Sequence, residues 1–183
     1  MRIRSWTFST IVLTTSLSFL QCACATPNDV DSSKTFLQTF YSWYTPIALK
    51  ENSLPAVDIT LKKKAGVFSQ TLYAALTEDS DARKKQSGYS AGLDFDPFLA
   101  TQDPCDEYEV GNVTHEGNEV KAEVYAVCEG KKRADPDIEV ALSRKGGQWI
   151  IDNFYYPPYG ATGRDLLTTL RLLKQTRENN KKS

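Results

Sequence analysis

"DIEVALSRKGGQWIIDNFYY", Asp137 to Tyr156, holds two apolar runs on either side of a glycine pair. Ile138, Val140 and Leu142 alternate with other residues, the period of a strand with one buried face. Arg144-Lys145-Gly146-Gly147 predicts a tight hairpin, because two-residue β-turns select residues that accept positive φ. A turn at Lys145-Gly146 sets Leu142 opposite Trp149, and a turn at Gly146-Gly147 sets it opposite Ile151. Either register keeps Trp149 and Ile151 on one face, so both predict the same packing.

The stretch before it has the same period. "EVKAEVYAVC" (Glu119–Cys128) sets Val120, Ala122, Val124, Ala126 and Cys128 against Lys121, Glu123, Tyr125 and Val127. A turn at Glu116-Gly117 pairs residues whose numbers sum to 233, which sets Cys105 against Cys128 as a hydrogen-bonded pair, at the wide end for a cross-strand bridge. His115, the single histidine, then falls in the hairpin turn as a surface residue.

The first half has a helical period instead. Phe36, Phe40, Trp43, Tyr44 and Ile47 lie on one helical face, with Asp31–Ser33 as N-cap candidates and Pro46 ending or kinking the helix near Tyr44. Residues 50–58 read as a linker. A second helix carries Leu61, Ala65, Phe68, Leu72 and Leu76 on one face and Lys62–Lys64 on another. Leu166, Leu170 and Leu173 mark a C-terminal helix. Helices first and an antiparallel meander second make an α+β fold, a curved sheet wrapped around helical apolar faces. Such a cone can enclose a pocket or be filled with aromatics.

Composition limits the function classes. Of 183 residues 40% are hydrophobic and 11% aromatic, enough for a packed core. There are 22 basic and 23 acidic residues; removing Arg2 and Arg4 with a leader leaves 20 against 23 and a net charge of −3. That is no footprint for nucleic acid. The N-terminus has a basic start, an apolar run and Ala23-Cys24-Ala25, the layout of a secretory signal peptide cleaved before Thr26. The divisions expected are 1–25 signal peptide, 26–33 polar leader, 34–175 a single α+β domain and 176–183 a polar basic tail. Cleavage leaves Cys105 and Cys128, a disulfide pair for an oxidising compartment. Lipoprotein processing at Cys24 or Cys22 is the alternative; Gln21 fits a lipobox poorly.

"GLDFDPFLATQDPC" (Gly92–Cys105) is the chemically densest stretch. Asp94-x-Asp96 matches part of a calcium loop, without its glycine and closing glutamate. Asp96-Pro97 starts a turn, and Phe95, Phe98 and Leu99 can anchor it to the core. The expectation is a structural corner whose acids bind backbone amides or tyrosine hydroxyls, with no metal and no cofactor. There is no nucleophile elbow or glycine-rich phosphate loop. Asn112-Val113-Thr114 is a glycosylation sequon, meaningful only in a eukaryotic secretory pathway.

"FYSWY" (Phe40–Tyr44), "DFDPFLATQD" (Asp94–Asp103) and "WIIDNFYY" (Trp149–Tyr156), in that order, resemble the domain-of-unknown-function 3828 family of secreted and envelope proteins, many of them lipoproteins. The resemblance implies a bacterial envelope location and a nuclear transport factor 2-like or cystatin-like cone. It carries over no catalytic residues. Tyr41, Tyr44, Asp94, Asp96, Gln102, Asp103 and Trp149 are the candidate site, an aromatic and acidic pocket. The expected role is non-catalytic binding of a protein partner or small envelope ligand in the periplasm or outside the cell. The alternatives are an immunity or hydrolase-inhibitor role, and a cone-fold enzyme with Asp94 or Asp96 as general base.

The leader reading has a direct check. Mass spectrometry of the protein from its native host is expected to find Thr26 as the first residue. A diacylglyceryl group on Cys24 or Cys22 would replace that reading with lipoprotein processing.

Overall fold

A computed structural model describes residues 27–85, 92–116, 119–158 and 164–180; the leader and its cysteines lie outside them. The order is α1 (Pro27–Ala48), α2 (Ala56–Lys63), a 3-10 turn (Ala65–Val67), α3 (Gln70–Lys85), then β1 (Glu107–Glu116), β2 (Glu119–Cys128), β3 (Lys131–Lys132), β4 (Ile138–Lys145), β5 (Gln148–Tyr155) and finally α4 (Leu166–Asn180). The antiparallel sheet runs β1-β2-β4-β5, with the short β3 also on β2. This is the α+β fold that the change of period predicts.

The alternation in β2 and β4 holds. Val120, Ala122, Val124 and Ala126 are buried, as are Ile138, Val140 and Leu142. Leu142 pairs with Ile151 and Lys145 with Gln148, so the turn is Gly146-Gly147. Both glycines have positive φ, 59° and 81°, where a side chain would be strained. A register shift follows between Ala141 and Leu142, and beyond it Val140 pairs with Phe154. The bulge returns Phe154 to the face of Ile151, and both are fully buried.

The first hairpin differs from its predicted register. Glu116 pairs with Glu119, two residues beyond the predicted sum, and a shift between Val110 and Val113 brings Glu107 opposite Val127. The turn at Glu116-Gly117 is therefore excluded, and His115 is an exposed residue of β1 opposite Val120. The cysteines are bridged all the same, with Cα atoms 4.8 Å apart, near the close end of the range. Cys105 precedes β1 and is not a ladder partner of Cys128. The register at the start of β1, with Glu107 opposite Val127, leaves Cys105 beside Cys128.

Three helical expectations are corrected. From Pro27 on, the leader expected at 26–33 is the start of α1: Ser33 is fully buried and its hydroxyl donates to the Val30 carbonyl, so Asp31–Ser33 do not cap. The buried stripe of α1 is Leu37, Phe40, Tyr41 and Tyr44, while Phe36 and Trp43 flank it. Pro46 does not stop the helix. It sits in the exposed last turn, where the Ser42 carbonyl that lacks its N–H can be hydrated.

The second helix is two helices, and part of the supposed linker belongs to the first, with Val57 and Asp58 buried. Phe68 interrupts them in extended backbone and forms a parallel bridge with Ile151; Ser69 N–H donates to the Ile151 carbonyl at 2.8 Å. The edge of β5 is covered this way. The Ser69 hydroxyl then accepts the Leu72 amide and starts α3. The tail expected at 176–183 is helical through Asn180, because Arg177 is buried on α3.

The disulfide closes a separation of 23 residues, which should stabilise the fold by about 3 kcal/mol by the loop-entropy relation. Urea denaturation with and without reductant is expected to differ by that amount, and the unfolded, unreduced chain should label at neither cysteine. Full labelling of both would show that the bridge does not form.

Candidate functional site

The site is built on the corner between α3 and β1. Phe98 is its anchor: fully buried, with ring centroids 5.7 Å from Phe40, 5.1 Å from Tyr44, 5.4 Å from Phe68 and 5.0 Å from Phe154. Edge-to-face and offset aromatic pairs of this kind add to the area they bury. The interior of the cone is filled by these rings.

Around Phe98 the chain makes a closed turn. Asp96 N–H donates to the Thr101 carbonyl at 2.8 Å, and Ala100 closes the loop with φ at 56°. Asp96 Oδ1 accepts the amides of Phe98 at 2.9 Å and Leu99 at 3.2 Å, the Asx geometry expected of Asp-Pro. Three buried tyrosine hydroxyls hold the turn from outside. Tyr44 donates to Asp96 Oδ2 at 2.5 Å, Tyr156 to the Pro97 carbonyl at 2.8 Å, and Tyr41 to the Phe98 carbonyl at 3.0 Å. Consecutive residues of the corner each receive one tyrosine.

Burial pushes the Asp96 carboxyl up to about 6, against the Tyr44 hydroxyl and the two amides that hold it down. Tyr44 is raised well above its ordinary value, first by burial and then by the neighbouring Asp96 charge. At neutral pH the pair is a tyrosine donor on an ionised, partly desolvated carboxylate.

A cleft of about 600 Å³ opens beside the corner, between Ala48–Val57 and the Gly92–Gln102 segment. Asp94, Asp96 and Gln102 of the candidate set line it, together with Arg83, which had no part in the sequence reading. Asp94 and Gln102 are exposed at its rim. Asp103 is exposed too, and it is its backbone, through Thr101 Oγ1, that is engaged. Tyr41 is in the core, stacked on Tyr108. Trp149 lies elsewhere: its indole donates to Ser32 near the start of α1, under the Arg144 guanidinium. The seven candidates therefore do not form one pocket. Tyr41, Tyr44 and Asp96 build the corner, Asp94 and Gln102 offer its surface, and Trp149 braces α1.

Arg83 is held at the cleft by a buried ionic chain. Its Nε meets Asp79 and its Nη2 meets Asp58, both at 3.2 Å. Arg177 of α4 reaches the other Asp79 oxygen and Glu78. The Leu93 amide donates to Asp79 at 3.3 Å, tying the corner's first strand of chain to α3. Gly92 makes this contact possible, since a Cβ there would lie 2.5 Å from Arg83 Cγ and 2.8 Å from Asp79 Oδ1. Asp79 and Arg83 are an i,i+4 pair on α3 and could have been paired from spacing alone. Nothing in the spacing marks Asp58 or Arg177. Among the described residues no three His, Cys, Asp or Glu side chains converge to hold a metal ion.

No protein-family model matches the chain, and no curated protein matches it. Among solved structures, the chain is similar to one in the crystal structure of the type VI native effector-immunity complex Tae3-Tai3 from Ralstonia pickettii. The match has 16% identity and a TM-score of 0.46, and covers 67% of this chain and 93% of that one. A partial backbone overlap at that identity transfers no residue roles.

Asp96→Asn separates the charge of the corner from its shape. A carboxyl raised in the fold makes the native state bind more protons than the unfolded chain between about pH 4 and 6, so its contribution to stability falls as pH rises through that window. The unfolding free energy of wild type minus that of the Asn variant is therefore expected to fall from pH 4 to pH 7, by an amount on the order of 1–3 kcal/mol. Asp96→Ala shares that pH dependence and should in addition be about 1–3 kcal/mol less stable than Asp96→Asn at every pH, because the Phe98 and Leu99 amides lose their acceptor. A difference that is flat or rises with pH would show that the carboxyl is not raised.

Proposed function

We propose that this protein is a non-catalytic binding domain of the bacterial envelope, and that the corner and its cleft are the surface it presents to a protein partner. The supporting observation is the commitment of Asp96. Both its oxygens already accept donors from the fold, so the carboxylate serves to hold the Pro97–Ala100 turn still. A loop fixed in this way costs little further ordering on association. Asp94 and Gln102 then supply polar contacts beside the apolar side chains of Pro55, Val57 and Phe95. An inhibitor or immunity protein, meeting its partner at the exposed Asp94 and Gln102 that flank the buried turn, is the form of this function that a rigid corner serves best.

The envelope assignment rests on the leader pattern and on a disulfide that suits an oxidising compartment. The three segments quoted above support kinship with the domain-of-unknown-function 3828 family as part of the same proposal. Among the described residues no helix is long and apolar enough to cross a membrane.

One observation favours the enzyme reading. A carboxyl raised to about 6 beside a solvent-open cleft has the acidity of a general base. Its three hydrogen bonds weigh against that role, since a base needs a lone pair aimed at the substrate proton.

Affinity capture from native envelope extract, with identification by mass spectrometry, tests the binding reading. A partner is expected to be retained by wild type and lost by an Asp94→Arg/Gln102→Arg variant of unchanged melting temperature. Capture of the same proteins by both would remove the cleft rim from the interface. Hydrolysis of an envelope substrate by wild type, abolished by Asp96→Asn, would establish the enzyme reading instead.

A further inference from the structure

A second cleft, of about 410 Å³, lies on the other side of α1, between its C-terminal half and the start of β1. Its walls are chemically one-sided. The strand wall supplies Asp106, Glu107 and Glu109, and among the described residues no Lys, Arg or His lines the cleft. Two of these acids have partners elsewhere: Asp106 accepts the Glu129 amide at 3.1 Å, and Glu109 meets Lys132 at 3.1 Å. Glu107 is exposed. The helix wall adds acceptors. Pro46 has no N–H to offer the Ser42 carbonyl. Thr45, which also lines the cleft, is only 3% exposed, and its Oγ1 is a buried side-chain atom with no hydrogen-bond partner among the described residues.

That hydroxyl is the observation that goes beyond an acidic patch. A buried polar atom with no partner is disfavoured by the loss of its hydration, and native folds rarely keep one without a use. Other threonines of the helices solve the problem locally: Thr35, Thr39, Thr60, Thr77 and Thr169 each donate to the carbonyl four residues back. Thr45 does not. An acceptor-rich cleft with carboxylates and no base is complementary to a cationic donor.

We propose that this cleft is a binding site for an alkyl ammonium or guanidinium group, hydrogen-bonded at Thr45 Oγ1 and neutralised by Asp106 and Glu107. The source can be a lysine or arginine side chain of a partner or a free amine. The site is independent of the corner cleft, and neither assignment requires the other.

Backbone NMR of the whole disulfide-bonded protein tests it, with two probes: butylguanidinium and N-acetyl-arginine N-methylamide. Saturable shifts confined to residues 38–46 and 106–109 are expected, weakening as salt is added. Tighter binding of the blocked arginine would assign the site to a partner's side chain, and equal or tighter binding of butylguanidinium to a free amine. Thr45→Val keeps the shape and removes the hydroxyl. It should weaken the probe about tenfold, the effect of losing one hydrogen bond to a charged group, and leave the melting temperature unchanged or higher. Asp106→Asn/Glu107→Gln should weaken the probe at least as much. Absence of saturable shifts in these residues, or probe affinity unchanged in Thr45→Val, overturns the proposal. So does a fall in melting temperature for Thr45→Val, which would reveal an internal partner for the hydroxyl.

Discussion

The Asp96 carboxylate is the point on which the corner, the aromatic core and the cleft all depend. Its Oδ1 organises the turn by taking two amides, and its Oδ2 takes the hydroxyl of Tyr44 from α1. That turn carries Phe98 into the middle of the core, where four other rings meet it. A loop of this length would ordinarily be anchored by its apolar side chains alone. Here the backbone is held as well, by Tyr41 and Tyr156 on successive carbonyls. The polar groups that must follow Phe98 into the interior are thereby satisfied, as buried backbone requires.

Sequence pattern was most legible where one period governs a whole element. Alternation in β2 and β4 settled the buried face, because a slip by one residue would expose every apolar side chain. The corner was legible for a related reason: Asp-Pro has a local preference that tertiary context can only reinforce. Phe36 and Trp43 were expected on the buried face of α1, where Leu37 and Tyr41 stand instead. Aromatic spacing marks a face only to within one residue's rotation of the helix, about 100°, and neighbours decide the rest. Pro46 misled because its effect depends on which carbonyl it frees. Near the C-terminus of an exposed turn, that carbonyl costs little.

The grouping of the candidate site failed for a longer-range reason. Trp149 and Asp96 both belong to segments that pack on α1, and a shared helix suggests a shared pocket. The two lie at opposite ends of it, one against Ser32 and the other against Tyr44. Twelve residues of α-helix separate those contacts by about 18 Å. The ionic chain was invisible for the same reason. Asp58, Asp79 and Arg177 come from three helices, and only the packing of α4 on α3 makes Arg177 a partner at all. Each buried carboxylate has two cationic partners, Asp58 with Arg83 and Lys84 and Asp79 with Arg83 and Arg177, so the loss of one cation leaves its charge still paired.

The two kinds of charge at the corner cleft have different consequences for recognition. Arg83 reaches the cleft already matched by Asp58 and Asp79, each less than 5% exposed, so its field at the opening is largely cancelled within the fold. Among the described residues Asp96 is matched by neutral donors alone, a tyrosine hydroxyl and two amides. Above its raised pKa it therefore keeps a full negative charge in a medium that screens it less than water does. Asp94 at the rim has the same sign. The cleft's positive residue then acts mainly as structure, locking Gly92 and Leu93 against α3, while its negative residues set the potential that an incoming group meets. Electrostatic complementarity of this kind governs orientation and rate of encounter more than final affinity. Under the proposed binding role, the apolar contacts the cleft can add are those of Pro55, Val57 and Phe95.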